Sequence, residues 1–173
     1  MNLLRPTLIL AALAAAALTA CGQSATPTAV APLEISQGTS CSLDGMLLAD
    51  YPGPKAQIHY AGQTEPDYFC DTVEMFHMIL NPEQVRAVRG VFVQDMGKAD
   101  WDTPRGHWID ANNAWYVYGS KRDGSMGPTI ASFTLEADAV KFAAEYGGKV
   151  TRFADISADM VVLDGGVLHD SIH

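Results

Sequence analysis

The sequence is poor in basic charge. Lys and Arg number 11 against 20 Asp and Glu in 173 residues, a formal net charge of −9. Phosphate backbones are held by clustered Lys and Arg, so this balance argues against nucleic acid as a partner. It argues equally against electrostatic attraction to an anionic membrane surface, and favours a small cation. Cysteine is scarce as well. Three cysteines are too few for a disulfide scaffold or a four-cysteine zinc site. There is no Gly-x-Ser-x-Gly, no P-loop and no Gly-x-Gly-x-x-Gly, so the usual nucleophile elbow and nucleotide cradles are missing. Asp100, Asp102 and Asp110 form no obvious catalytic pair. Beyond the leader, no apolar run approaches the roughly 18 residues that span a bilayer. What is plentiful is apolar content, 48% of the chain. That excludes a fully disordered chain and suits one domain of ordinary size.

The first twenty residues read as an export signal. Arg5 is a short positive region, Leu8 to Leu18 is rich in Ala and Leu, and Leu18-Thr19-Ala20-Cys21 follows. Those four residues resemble a bacterial lipobox. In such signals the chain is cut before the cysteine, whose thiol is diacylated. Two or more acyl chains make a stable anchor, whereas one is marginal. Gly22, and not Asp, follows the cysteine, which favours the outer over the inner membrane. Residues 21–39 then read as a flexible tether of Ser, Thr, Pro, Ala and Gln. Residues 161–173 read as a C-terminal tail.

Residues 40–160 read as an α+β domain of two pseudo-repeated ββαβ units, about 40–97 and 107–160. In the first, Ala56 to Tyr60 and Tyr68-Phe69 are strands, and Asp71-Thr72-Val73-Glu74 is a capping box opening a helix to about Leu80. Val85 to Gln94 supplies the next strand. In the second, Trp115 to Tyr118 is a strand and Gly119 to Pro128 a glycine-rich connection. Thr129 to Phe133 is a strand, and Thr134 is placed to cap a helix through Tyr146. Gly147-Gly148 stops that helix, and Lys149 to Phe153 closes the unit.

Soft ligands single out Cys41-Ser42-Leu43-Asp44-Gly45-Met46, a thiol, a carboxylate and a thioether around a glycine. Sulfur ligands select Cu(I) and other thiophilic ions. The bland alternative makes Cys41 a small core residue and Met46 the start of a buried strand. Met126 lies between glycines and before Pro128, off any apolar stripe, as an accessible thioether or a turn anchor. Met96, in Asp95-Met96-Gly97, is a further candidate. Met75 and Met78 belong to the first helix and read as core. Cys70 precedes a helix N-terminus, which lowers a thiol pKa. Cys41 and Cys70 could form a disulfide, share a metal or redox site, or be unrelated. Among the histidines, His59, His77 and His107 have no His-x-x-x-His partner, and His169 and His173 fall in the tail.

Taken together these words resemble the NosL family. The resemblance rests on Cys41 to Met46, Tyr51-Pro52-Gly53-Pro54-Lys55-Ala56-Gln57-Ile58, Phe69-Cys70-Asp71-Thr72, Val93-Gln94-Asp95-Met96-Gly97, Asp100-Trp101, His107 to Ala111 and Met126-Gly127-Pro128-Thr129. It implies a lipid-anchored Cu(I) metallochaperone and not an enzyme. It also implies partners: nitrous oxide reductase, whose copper–sulfur centre is assembled, and its membrane ABC-type maturation complex. Asp44 stands where family members often carry a second cysteine, which shifts weight to Met46 and to Met126 or Cys70. The metal set expected is therefore Cys41, Met46 and Met126, with Cys70, Asp44 and Met96 as substitutes. The family's fold is related to organomercurial lyase, and Cys41, Asp44 and Cys70 look like that enzyme's Cys, Asp, Cys constellation. A thiol enzyme of that kind is one alternative. A metal-free lipoprotein with a Cys41–Cys70 disulfide is the other.

Overall fold

The computed structural model describes residues 29–163. The leader 1–20, the lipidation candidate Cys21, the first part of the expected tether, and His169 and His173 lie outside the described residues. The first unit contains β1 (Ala56–Tyr60), β2 (Asp67–Phe69), helix α1 (Thr72–Leu80) and β3 (Val88–Gln94). The second contains β5 (Trp115–Tyr118), β8 (Ala131–Phe133), helix α2 (Glu136–Tyr146) and β9 (Lys149–Arg152). Each therefore runs strand, strand, helix, strand. A short strand β4 (Trp108–Asp110) lies between them, and a hairpin of β6 (Asp123–Gly124) and β7 (Gly127–Pro128) interrupts the second unit.

The first sheet has the order β2-β1-β3-β4, all neighbours antiparallel. The second has the order β8-β5-β9, also antiparallel. β4 falls within the segment expected to open the second unit, yet it pairs with β3, with Ile109 opposite Val93. It extends the first sheet because Trp108 and Ile109 cover that sheet's edge, and the second unit begins only at β5.

β1 is buried along its whole length because both its faces are covered. Ala56, Ile58 and Tyr60 enter the main core with Met75, Phe76, Val91 and Val93. On the other face the Gln57 side chain clamps the main chain of Leu33. Its Oε1 accepts from the Leu33 N–H at 2.9 Å, and its Nε2 donates to the Leu33 carbonyl at 2.9 Å. Ile35 is buried beside Leu48. The expected tether to residue 39 is thus too long, and the packed chain starts by Leu33. At the other boundary Val161, expected in the tail, is buried, and its carbonyl meets His77 Nδ1 at 3.2 Å.

The two units share their interior. Phe76 of α1 sits 5.2 Å from Tyr116 and 5.0 Å from Phe153, ring centre to ring centre. A second apolar cluster under α2 gathers Trp101, Phe133 and Phe142. Between the clusters Ser132 Oγ donates to the Gln94 carbonyl at 2.6 Å, and the Met96 N–H donates to the Ser132 carbonyl at 2.8 Å. Asp95 completes this seam. Its carboxylate accepts from Thr134 Oγ1 at 2.6 Å and from the N–H groups of Thr134 and Gly97, each at 3.1 Å. The expected capping role of Thr134 is therefore not the one observed. Leu135 occupies the N-cap of α2 without a side-chain bond, because the Thr134 hydroxyl is taken by Asp95.

Candidate metal centre

Two chain segments bring the thiols together. The first is the loop from Ser40 to Leu47, which are bridged to each other. The Cys41 N–H donates to the Met46 carbonyl at 2.7 Å and the Gly45 N–H to the Cys41 carbonyl at 3.0 Å. Gly45 has φ of +80°, the left-handed region that glycine tolerates best, so the loop can close this tightly. Asp44 Oδ1 accepts from the Met46 N–H at 2.9 Å. Ser42 ties the loop to β2: its N–H reaches the Tyr68 carbonyl at 2.7 Å, and its Oγ accepts from the Tyr68 N–H at 3.0 Å.

The second segment is the start of α1. The capping box is present, with Asp71 accepting from the Val73 N–H at 2.9 Å. Glu74, the reciprocal member of the box, reaches back further than the cap. Its Oε2 accepts from the N–H of Cys70 at 3.1 Å and of Asp71 at 3.3 Å. The same oxygen lies 3.4 Å from the sulfurs of both Cys41 and Cys70. Cys41, Asp44, Cys70 and Glu74 each offer a donor atom, and these four atoms lie within 4.8 Å of one another. Cys41, Cys70 and Glu74 are buried, while Asp44 is exposed and forms the outer side. Cys41 and Cys70 are free thiols, so the disulfide alternative is not the state of this structure.

The cluster shares its protons. The hydrogen bond from Cys70, against the opposing effect of burial, lowers the Cys41 thiol to about 6, helped by nearby backbone N–H groups such as that of Leu43 at 3.3 Å. The same bond and burial hold Cys70 well above the ordinary thiol range. Burial, and then the neighbouring Cys41, push Glu74 up to about 7. Burial likewise raises Asp71 to about 6. A buried cation adjoins the group. Lys55 is fully buried, with Nζ donating to the Pro52 carbonyl at 2.8 Å and the Cys70 carbonyl at 3.0 Å. Desolvation lowers its ammonium to about 8.

Of the residues expected from sequence, Cys41, Asp44 and Cys70 come together. Met46 is half-buried and packs against the apolar cluster that contains both thiols. Met126 is exposed at the turn between β6 and β7. The neighbouring Ser125 bonds Asp71 Oδ2 through its N–H at 3.3 Å and its Oγ at 3.4 Å, so this turn is held at the helix end that carries Cys70. Met96 goes elsewhere: it packs with Trp101 and Phe142 under α2. In the sequence Glu74 is legible only as a cap, and Lys55 only as one residue of the stretch from Tyr51 to Ile58. The signal for Glu74 was present, since a carboxylate reaching back past the N-cap must meet the residue before it, which is Cys70.

The family model for NosL matches residues 32–161. The copper-binding lipoprotein NosL of Stutzerimonas stutzeri is 36% identical over 168 residues, covering 95% of this chain and 87% of that protein. The copper-binding lipoprotein NosL of Achromobacter cycloclastes is 37% identical over 158 residues, covering 89% and 81%. The crystal structure of the copper chaperone NosL from Shewanella denitrificans superposes with a TM-score of 0.72 at 39% identity, covering 77% of this chain and 99% of that one. A shared fold, and a match running from the packed start of the chain to Val161, show that this chain belongs to the NosL family.

Proposed function

We propose that this protein is a copper metallochaperone that holds one Cu(I) at the Cys41–Cys70 cluster and passes it on outside the cytoplasm. The observation that carries the reading is the convergence of two free, buried thiols and the Glu74 carboxylate on one point. Thiolates are soft donors and match Cu(I). Met46, packed against the apolar cluster that contains the thiols, and Met126, on the turn that Asp71 holds, are the thioethers we expect to complete the set. A set with few strong donors suits transfer, because an acceptor ligand can attack before the metal leaves. The names of the relatives support copper as the cargo.

Lipid anchoring at Cys21 on the periplasmic face, at the outer membrane as Gly22 suggests, belongs to the same reading. So does delivery to nitrous oxide reductase through an ABC-type maturation complex. Native mass measurement after anaerobic Cu(I) addition tests the binding. One copper per wild-type chain, and loss of it in Cys41→Ser, is the expected result. Retention of copper by Cys41→Ser at wild-type affinity would overturn the assignment. For the anchor, Cys21→Ser is expected to leave the membrane fraction or remain unprocessed.

The grouping of Cys41, Asp44 and Cys70 also favours a second reading, cleavage of a carbon–metal bond. There the thiolates would take the metal while a cluster proton passes to carbon. Incubation with an organomercurial checks it, and absence of released hydrocarbon ends it.

A further inference from the structure

The end of α1 away from the thiols borders a cleft of about 270 Å³. The helix stops at Leu80, before Asn81-Pro82, and the cleft opens between that end and the short helical turn Ala158–Met160. His77, Leu80 and Pro82 line it on the helix side, and Ala158, Val161 and Val162 on the other. A carbonyl can only accept, so His77 Nδ1 donates to the Val161 carbonyl, at 3.2 Å, and pins the returning chain to the helix. Val161 is buried, whereas Val162 stays 59% exposed although it lines the cleft. A mainly apolar wall left in water favours an occupant.

The point where the described chain stops says which occupant. Leu163 is the last described residue and follows Val162 directly, so the next residues start at the mouth of the cleft. They read Asp164-Gly165-Gly166-Val167-Leu168. Two glycines in a row reverse a chain at little steric cost, and an apolar pair follows them at once. The stretch from Leu163 to Leu168 has at most about 17 Å of extended chain to use. That is ample for turning back onto a cleft whose wall ends at Val162. A segment tethered so closely acts at an effective concentration on the order of mM, so a separate partner has to displace it to enter.

We propose that the chain after Leu163 folds back at Gly165-Gly166 and seats Val167 and Leu168 in this cleft, as a strap across the C-terminal end of α1. The helix is then held at both ends, at its start by the bonds of Asp71 to Thr129 and Ser125 and at its finish by the strap. The strap is independent of the copper reading, because no member of the thiol cluster lines the cleft.

Methyl NOEs recorded on the full, metal-free chain test the seating. Cross-peaks from the Leu168 methyls to those of Leu80 or Val161 are expected within one molecule. Their absence overturns the proposal. Cross-peaks that arise only between chains, in a mixture of isotope-labelled and unlabelled protein, put a second copy in the cleft and overturn it as well. Urea unfolding gives an independent reading. Leu168→Asp should lower the folding equilibrium constant about tenfold, the effect of exposing a good part of a buried leucine. Ser171→Asp adds the same charge without removing an apolar contact, and should leave that constant unchanged. Equal losses in the two variants, or no loss in Leu168→Asp, would mean that the cleft is not where this segment rests.

Discussion

At the scale of single residues, the chemistry turns on how few protons the cluster has to lose. Cys41 is the thiol most ready to ionise, because Cys70 donates to it. Cys70 and Glu74 hold their protons more tightly. Metal capture must displace those protons, so copper affinity should fall as the solution is acidified through about 6, where Cys41 itself becomes protonated. Chelator competition across that range measures it. Cys41→Ser removes the readiest thiolate and should weaken Cu(I) by ~100-fold or more, beyond the usual effect of losing an outer-shell partner. Both thiols, the Asp44 carboxylate and the metal class they suit were legible in the sequence. Glu74 was not, since its contact with Cys41 spans 33 positions and depends on the loop folding back over β2.

At the scale of elements, local rules worked where the partner is local. The capping box at Asp71 and Glu74 needs only four consecutive residues, and it forms. They failed where a distant partner wins. Thr134 has the right chemistry for a cap, yet Asp95, 39 positions away, takes its hydroxyl. The tether ended early for the same reason, with Gln57 gripping Leu33 from 24 positions away. The β6–β7 hairpin is the element that carries Met126, the thioether proposed to complete the site. Gly53, with φ of +79°, packs so closely that an added Cβ would stand 2.8 Å from Gly124 Cα. A Cβ on Gly124 would strike Asp71 and Thr129. Two variants separate geometry from chemistry. Met126→Leu keeps the volume and removes the sulfur, so it should weaken Cu(I) about tenfold, roughly 1.4 kcal/mol, with unfolding unchanged. Gly124→Ala should destabilise the fold by about 1–3 kcal/mol through overpacking, seen in urea melts. Wild-type copper binding and delivery by Met126→Leu would place the metal wholly with the Cys41–Met46 loop and Cys70.

At the scale of the whole molecule, two units act as one body only while their seam holds, and the metal cluster of the first unit sits against a turn of the second. The first unit supplies the thiols; the second supplies the turn that Asp71 anchors. Phe76 joins the cores, but packing is tolerant of shape, whereas the Asp95 seam is directional. Asp95 is buried and its carboxylate serves the Thr134 hydroxyl and N–H, the Gly97 N–H, and Lys98 at 3.4 Å. Burial alone would raise its pKa, but these donors outweigh burial and hold the carboxyl below the ordinary carboxylate range. The sign follows from that depression. An acid whose folded pKa lies under its unfolded value binds fewer protons in the native state. It therefore adds stability in full above the unfolded value of about 4, and loses it as pH falls through the lower, native value. Asp95→Ala strands the Thr134 donors and should cost about 2–3 kcal/mol at neutral pH. The gap between variant and wild type should then narrow as pH falls below about 4, because the wild type is losing the same contribution. Urea unfolding of both chains over that range reads the difference directly, and a gap that stays constant into acid would mean that the Asp95 carboxylate is not what fastens the two units.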